Sequence, residues 1–365
     1  MITVTELEKA RQKINDVDRE MARLFCERMT AVRTVAEYKR LHGTQVSDPA
    51  REAEVIKRNS ALLEDEELKS YYVNFLQHNM DLSKSFQHRL LEGMKVAFSG
   101  VEGAFASIAA NRVFPDALAV AYPDFKSAYD SVVSGEADCV ILPIENSYNG
   151  DVGQVMDLAF FGPLYINGIY DIGIVQNLLA VKGTTMDQVK TVISHPQALG
   201  QCADYIRKHG FETVEAVNTA LAAKQVAEWG RHDIAAIASD EAAEKFELKK
   251  LEAHINESNT NTTRFAVFSR SAKAPSADDS RFIMLFTVTH KAGALGKAIS
   301  IIGENGFNLL ALKSRPTKDS IWSYYFYAES EGNINSEEGK KMLSELKKEC
   351  SQIKVVGSFE KEIYL

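Results

Sequence analysis

ADCVILPIENSYNG (residues 137–150) is an apolar run that ends abruptly in a polar cluster. A short apolar run bounded by turn residues reads as a buried strand. Ligands of open α/β sheets bind just outside the carboxyl ends of the strands. Glu145, Asn146 and Ser147 therefore stand where a binding cleft would open. Similar junctions follow downstream: Val192-Ile193 runs into Ser194-His195-Pro196-Gln197, Val214–Val217 into Asn218-Thr219-Ala220, and Ile237-Ala238 into Ser239. Upstream, Gly100-Val101-Glu102-Gly103 lies between a strand and a helix, where glycines can bring backbone N–H groups to an anion. Helical stretches alternate with these strands from about Met94 to Arg270, which predicts an α/β domain with a largely parallel sheet. Taken singly each junction is weak, since glycine loops are often plain tight turns and Ser or Thr after a strand is most often a helix cap. His195, ahead of a proline, reads as a hydrogen-bonded structural histidine as readily as a general base.

Outward toward the N-terminus, the chain to about Glu92 has long three–four periodicities and reads as all helix. Val4, Leu7, Arg11, Ile14, Asp18, Met21, Phe25, Arg28, Val32, Val35 and Lys39 share one seam. Arg11, Arg28 and Lys39 interrupt it with cations, and an unpaired buried cation costs several kcal/mol. Pairing with Asp18 or other carboxylates would satisfy them, and so would an anionic ligand. Asp48-Pro49 is a cap and first turn that brings Arg51 and Glu52 to a helix mouth. Ser83 and Gln87 interrupt the apolar stripe of a third helix one turn apart. So many polar interruptions in one bundle favour a site for a multiply charged ligand over isolated structural pairs.

Outward toward the C-terminus, SRSAKAPSADDS reads as a linker. The remainder reads strand, helix, strand, strand, helix, strand, the βαββαβ ferredoxin-like order.

The bulk numbers limit the function classes. A length of 365 residues implies two or three domains. The net charge of −8 argues mildly against a nucleic-acid partner, whose affinity rests on basic patches. The N-terminal segment has no apolar h-region, and no apolar run approaches the ~20 residues of a bilayer span. No membrane association and a cytoplasmic location are therefore expected. The four cysteines are scattered and read as reduced thiols. The histidines lack ligand spacing, so no metal is expected.

These patterns carry family resemblances. Arg11, Asp18, Arg28, Lys39, Asp48-x-x-Arg51-Glu52 and Ser83-x-x-x-Gln87 together resemble the all-helical chorismate mutase domain, over residues 1–92. The resemblance implies that Arg11, Arg28 and Arg51 hold the chorismate carboxylates, with Asp48 and Ser83 beside them. Lys39 and Gln87 would donate to the ether oxygen, and Glu52 would accept from the substrate hydroxyl. It also implies an intertwined helical dimer in which Arg11 serves the partner chain's site. The middle segment, 94–270, resembles prephenate dehydratase through PIENS with Gly150, SHPQ with Gln201-Cys202, and Asn261-Thr262-Thr263-Arg264-Phe265. That family has two α/β lobes akin to periplasmic binding proteins, with the site in the cleft between them. Thr263 would be catalytic, while Glu145, Asn146, Ser147, Ser194, Gln201, Thr219 and Arg264 would bind prephenate. Two elements depart from the family: Gly103-Ala104-Phe105-Ala106 stands for G-T-F-S, and Asn218-Thr219-Ala220 for S-T-A.

The last segment, 280–365, resembles ACT domains through Gly293-Ala294-Leu295 and Ser314-Arg315, with Lys313 where that family has glutamate. It implies phenylalanine as an effector. The expectation is thus a cofactor-free enzyme taking chorismate through prephenate to phenylpyruvate, as a homodimer or higher oligomer. Two alternatives are a mutase domain kept only for dimerisation and a non-catalytic binding protein on the cleft fold. The complete Arg11, Arg28, Lys39, Arg51, Glu52 and Gln87 set speaks against the first, and Thr263-Arg264 against the second.

Overall fold

The computed structural model describes residues 4–257, 261–317, 323–361 and 363–365. The chain divides into two compact units, residues 1–94 and 95–365.

The described residues of the first unit form three helices: α1 (Val4–His42), α2 (Pro49–Ser60) and α3 (Glu66–Glu92). At 1.5 Å per residue α1 is about 58 Å long. The Asp48 carboxylate accepts from the Arg51 N–H and caps α2, with Pro49 in the first turn, as the Asp-Pro pair predicts. Asp65 caps α3 in the same way. Ala36 is the one described residue of α1 that is fully buried. Leu7, Ile14, Met21 and Val35 recur at heptad spacing and are all exposed, as are Phe25, Tyr71 and Phe75. The predicted seam is thus an uncovered apolar face within one chain.

Among its described residues the second unit has three sheets. Its elements run β1 (Lys95–Ser99), α4 (Phe105–Val113), β2 (Leu118–Tyr122), α5 (Phe125–Ser134), β3 (Cys139–Asn146), β4 (Gly150–Asp151), α6 (Gly153–Phe161), β5 (Tyr165–Gly173) and β6 (Asn177–Ala180). They continue β7 (Thr191–Ser194), α7 (Pro196–Gln201), α8 (Ala203–His209), β8 (Glu212–Glu215), α9 (Thr219–Trp229), β9 (Ile234–Ala238), α10 (Asp240–Lys245), β10 (Lys249–Glu252) and β11 (Thr262–Ser269). The chain ends with β12 (Arg281–Val288), α11 (Ala294–Glu304), β13 (Leu309–Pro316), β14 (Tyr324–Glu331), α12 (Glu337–Glu349), β15 (Cys350–Phe359) and β16 (Ile363–Tyr364).

The first sheet has the order β16-β5-β11-β3-β1-β2, with β4 hairpinned onto β3; the second has β10-β6-β9-β7-β8. These are two lobes, crossed by the chain once after β5 and once back into β11. The expectation of a largely parallel sheet needs correction. β2-β1-β3 and β8-β7-β9 are parallel, but β11 runs antiparallel to both β3 and β5, and β6 antiparallel to β9 and β10. A strand that re-enters a lobe from the other lobe needs no right-handed helical crossover, so nothing forces it parallel.

The third sheet, β13-β14-β12-β15, is antiparallel throughout and follows the expected βαββαβ order. β12 (RFIMLFTV) is apolar at nearly every position because both its faces are buried. Phe282, Met284 and Phe286 meet α11 and α12, whereas Ile283 and Leu285 join Val155, Ala159, Leu164 and Ile166 in the first lobe's core. The third sheet is therefore packed onto the first lobe rather than strung from it. Gly357 in β15 passes so close that a Cβ there would strike the Ile166 carbonyl of β5. Gly357→Ala is expected to lower stability by about 1–3 kcal/mol, read as a lower unfolding midpoint of the full chain.

Candidate functional site

In the helical unit, α1 and α3 bring part of the expected set together. Arg28 donates from Nη1 to the Ser83 hydroxyl and, at 3.4 Å, to the Asn79 carbonyl. Burial holds the Arg28 guanidinium below its ordinary pKa. Lys39 donates to the Val46 carbonyl at 2.6 Å, which ties α1 to the segment leading into α2. Glu52 on α2 pairs with Lys84 of α3 at 3.0 Å. Burial opposes the charged form of Lys84, but hydrogen bonds to Glu52 and Asp81 outweigh it and its pKa is raised. Gln87 is buried; its Nε2 donates to the Ser83 carbonyl at 3.3 Å, and its Oε1 has no partner. Arg51 is held by Glu54 at 2.7 Å. Arg11 stays exposed and lies about 25 Å along α1 from Arg28. Lys84 escaped the sequence reading; its only signal is its position beside Ser83 on the same helix.

In the second unit a cleft of ≈ 250 Å³ opens between the two lobes, lined by Asn146, Gln201, Thr219 and Thr263 among the expected residues. Asn146 and Thr263 are direct neighbours across β3 and β11. The Asn146 Oδ1 accepts from the backbone N–H groups of Tyr148 and Asn149, at 3.0 and 3.1 Å. Its Nδ2 therefore faces the other way, donating to the Thr263 hydroxyl at 2.9 Å and the Asn261 Oδ1 at 2.9 Å. Thr263 Oγ1 thus accepts from below and keeps its own proton for the cleft. Accepting one bond polarises a hydroxyl and makes it a better donor.

The N-terminal ends of α4 and α9 also line this cleft, at Ala104-Phe105 and Asn218-Thr219. Asn218 caps α9, but α4 begins without a side-chain cap. Helix N-termini present unpaired N–H groups and partial positive charge to an anion. Among the described residues that line the cleft none is Lys or Arg. Gln176, nearly fully buried, also lines it with Oε1 unpartnered. That residue was missed; the visible signal is the polar Gln176-Asn177 pair at the head of the apolar run LLA.

Ser194, Ser147, Glu145 and Arg264 sit behind the cleft, whereas His195 is among the residues that line it. Ser194 is fully buried and donates to the Ile237 carbonyl at 2.6 Å. The Ser147 hydroxyl accepts from the Thr262 N–H at 3.0 Å. Arg264 meets Asp171 and Glu329, each at 3.3 Å, and Glu145 at 4.0 Å. Burial works against its charge, but these carboxylates raise its pKa above the ordinary value. His195 caps α7, accepting from the Gln197 N–H at 3.2 Å.

On the third sheet, Gly293 precedes α11 in the left-handed conformation (φ 82°), which a glycine adopts without strain. Leu295 borders a second cavity, of ≈ 790 Å³, that also touches His290, Tyr324, Phe326 and Phe160 of α6. Ser314 and Arg315 lie on opposite faces of β13: Ser314 is exposed, while Arg315 makes a two-pronged contact with Asp157 of α6 at 2.8 and 3.0 Å. Among the described residues no group of three or more His, Cys, Asp and Glu side chains could hold a metal ion. No described helix is long and apolar enough to cross a membrane.

Known proteins match this architecture in both units. Residues 10–88 match the family Chorismate mutase type II, and residues 96–273 match Prephenate dehydratase. A bifunctional chorismate mutase/prephenate dehydratase of Aquifex aeolicus is 30% identical over 369 residues, spanning 98% of this chain and 99% of its own. The structure of a prephenate dehydratase in complex with L-Phe from Arthrobacter aurescens is 25% identical, with a TM-score of 0.68, over 73% of this chain and 90% of its own. A structure described as GqqA, a quorum-quenching acylase, is 29% identical with the same TM-score of 0.68, over 73% and 97%.

Proposed function

The chain belongs to the family of bifunctional chorismate mutases/prephenate dehydratases, and on that premise we propose how its own residues carry both reactions and their control. The single observation that carries the reading is the Asn146–Thr263 pair at the mouth of the cleft, beside two helix N-termini.

In the helical unit, residues 1–92, the rearrangement breaks the chorismate C–O bond as a C–C bond forms. It needs no nucleophile, only positioning and charge complementarity. Arg28, braced by Ser83, and Arg51 take the carboxylates, since the guanidinium fork suits them. Lys39 and the spare N–H of Gln87 donate to the ether oxygen as negative charge develops there. Glu52, aligned by Lys84, accepts from the ring hydroxyl. Arg11 cannot reach Arg28's neighbourhood from the same helix, and the apolar heptad face of α1 lies uncovered. A second copy packed on α1 answers both, so the working form is a homodimer or a multiple of it.

In the cleft, within residues 94–270, prephenate loses its ring carboxylate as CO2. The electron pair completes the aromatic ring and expels the C4 hydroxyl as hydroxide, which takes a proton from solvent and departs as water. Thr263 donates to that departing oxygen, with Asn146 holding its Oγ1. The α4 and α9 N-termini, with Gln201 and Thr219, receive the carboxylates. Arg264 acts from behind the cleft, its guanidinium already held by protein carboxylates. Neither step transfers electrons to an outside acceptor, so no redox cofactor is needed.

Residues 280–365 form an ACT domain that takes phenylalanine as its effector. The ≈ 790 Å³ cavity beside Leu295, apolar on the Phe160 and Phe326 side, supports this. So does the L-Phe complex of the Arthrobacter relative. Added phenylalanine is expected to lower the dehydratase rate; a flat response across the titration overturns this part.

Incubating the full chain with chorismate alone tests the whole. Phenylpyruvate is the expected product. Prephenate accumulating overturns the cleft assignment, and unchanged chorismate overturns the helical one.

A further inference from the structure

β13 alternates in and out: Ala311, Lys313 and Arg315 face inward, while Leu310, Leu312 and Ser314 are exposed. Lys313 therefore points at the first lobe, where its Nζ meets Glu145 of β3 at 2.9 Å and also contacts Asp151 of β4. Glu145 and Asp151 face each other across the β3–β4 hairpin, and the next pair is Asn146 with Gly150. The Asn146 side chain orders the turn of that hairpin and holds the Thr263 hydroxyl. Without a cation between them, two like charges directly opposite would push the legs of the hairpin apart.

The same device recurs on the adjoining strand. Successive strand residues point to opposite faces. In register, Thr263 pairs with Asn146 on the cleft side, and Arg264 pairs with Glu145 one step behind. Arg264 is met by Glu329 of β14, a buried carboxylate that also accepts from the Tyr327 hydroxyl at 3.3 Å. Lys313 lies 5.8 Å from the centre of the Tyr327 ring. Each residue behind the donor pair is thus clamped by a charge from the third sheet.

We infer that Lys313 is a positioning residue for the dehydratase reaction, setting the Asn146–Thr263 donor through the β3–β4 hairpin from outside the cleft. The inference rests on the cleft assignment above. The described residues that Lys313 pairs with, Glu145 and Asp151, do not line the cleft, so it acts on the geometry of the transition state more than on substrate affinity.

The test compares Lys313→Met, Lys313→Arg and the double variant Lys313→Met/Asp151→Asn with the parent chain, on both prephenate and chorismate. Lys313→Met is expected to lower dehydratase kcat about tenfold with KM changed less than about twofold, and to leave the mutase rate unchanged. Lys313→Arg keeps the charge and should recover most of kcat. Asp151→Asn in the Met background removes the repulsion and should recover part of it. If the parent makes phenylpyruvate but Lys313→Met matches its kcat, the inference falls and the cleft assignment stands. It falls likewise if Lys313→Met only lowers the unfolding midpoint, or if neither the Arg nor the Asn variant restores kcat. A parent that does not consume prephenate sinks the cleft assignment and this inference with it.

Discussion

Thr263→Ala is expected to lower dehydratase kcat by about 10²–10³-fold, the usual loss when one preorganised donor to a developing oxyanion is removed. The mutase rate of the same preparation should not change, because Thr263 lies in the other compact unit. The argument is geometric. The two backbone N–H groups that hold the Asn146 Oδ1 fix the amide so that Nδ2 is the atom turned to Thr263, and toward that hydroxyl it can only donate. The hydroxyl proton of Thr263 is then the one mobile donor of the pair. Alanine removes it and also leaves Asn146 Nδ2 short of one acceptor, though the Asn261 side chain and the Thr262 carbonyl remain. The fold should therefore persist while turnover is lost. Thr263→Ser, which keeps the hydroxyl, should retain most of the activity. A Thr263→Ala enzyme within threefold of the parent in kcat would remove Thr263 from the chemistry.

Mixing two inactive mutases is expected to restore activity. Arg11→Ala and Arg28→Ala should each abolish chorismate turnover on its own. If the site takes Arg11 from one chain and Arg28 from the other, a mixed dimer has one doubly damaged site and one intact site. Random exchange makes half of the dimers mixed, so about a quarter of the parent rate should return. The expectation follows from the ~25 Å that separates the two arginines along one helix. It follows also from the apolar stripe of Leu7, Ile14, Met21 and Val35 that a lone chain leaves in water. The measurement is the chorismate turnover of an unfolded and co-refolded equimolar mixture. A mixture as inactive as its components means that each chain builds its site alone.

Much of this protein is legible in its sequence. Strand ends with polar clusters located Asn146 and Thr219, because strand length and the period of two are local properties, whereas Gln201 and Thr263 came from the resemblance to prephenate dehydratase. Asp48-Pro49 marked the start of α2 because capping is settled within four residues. The order of the last six elements followed from the same local signals. What remained hidden was which face each residue would turn to and what would stand opposite. Arg264 is a chemically good ligand for a substrate carboxylate and Glu145 for a substrate hydroxyl, and nothing local distinguishes them from Asn146 and Thr263. The tertiary structure separates them, because pleating sends neighbours to opposite faces and the third sheet lies against one of those faces. The antiparallel entry of β11 was hidden for a related reason: strand direction depends on where the chain has been between strands.

By itself, the sequence determined the elements, their order and the residue types needed to hold charged substrates, since propensity, capping and periodicity act over a few residues. Only the tertiary structure decided which polar side chains face the cleft and which face a lysine. That choice depends on the close approach of β3, β11 and β13, segments more than a hundred residues apart at the extremes, and long-range packing leaves no periodic trace in the chain.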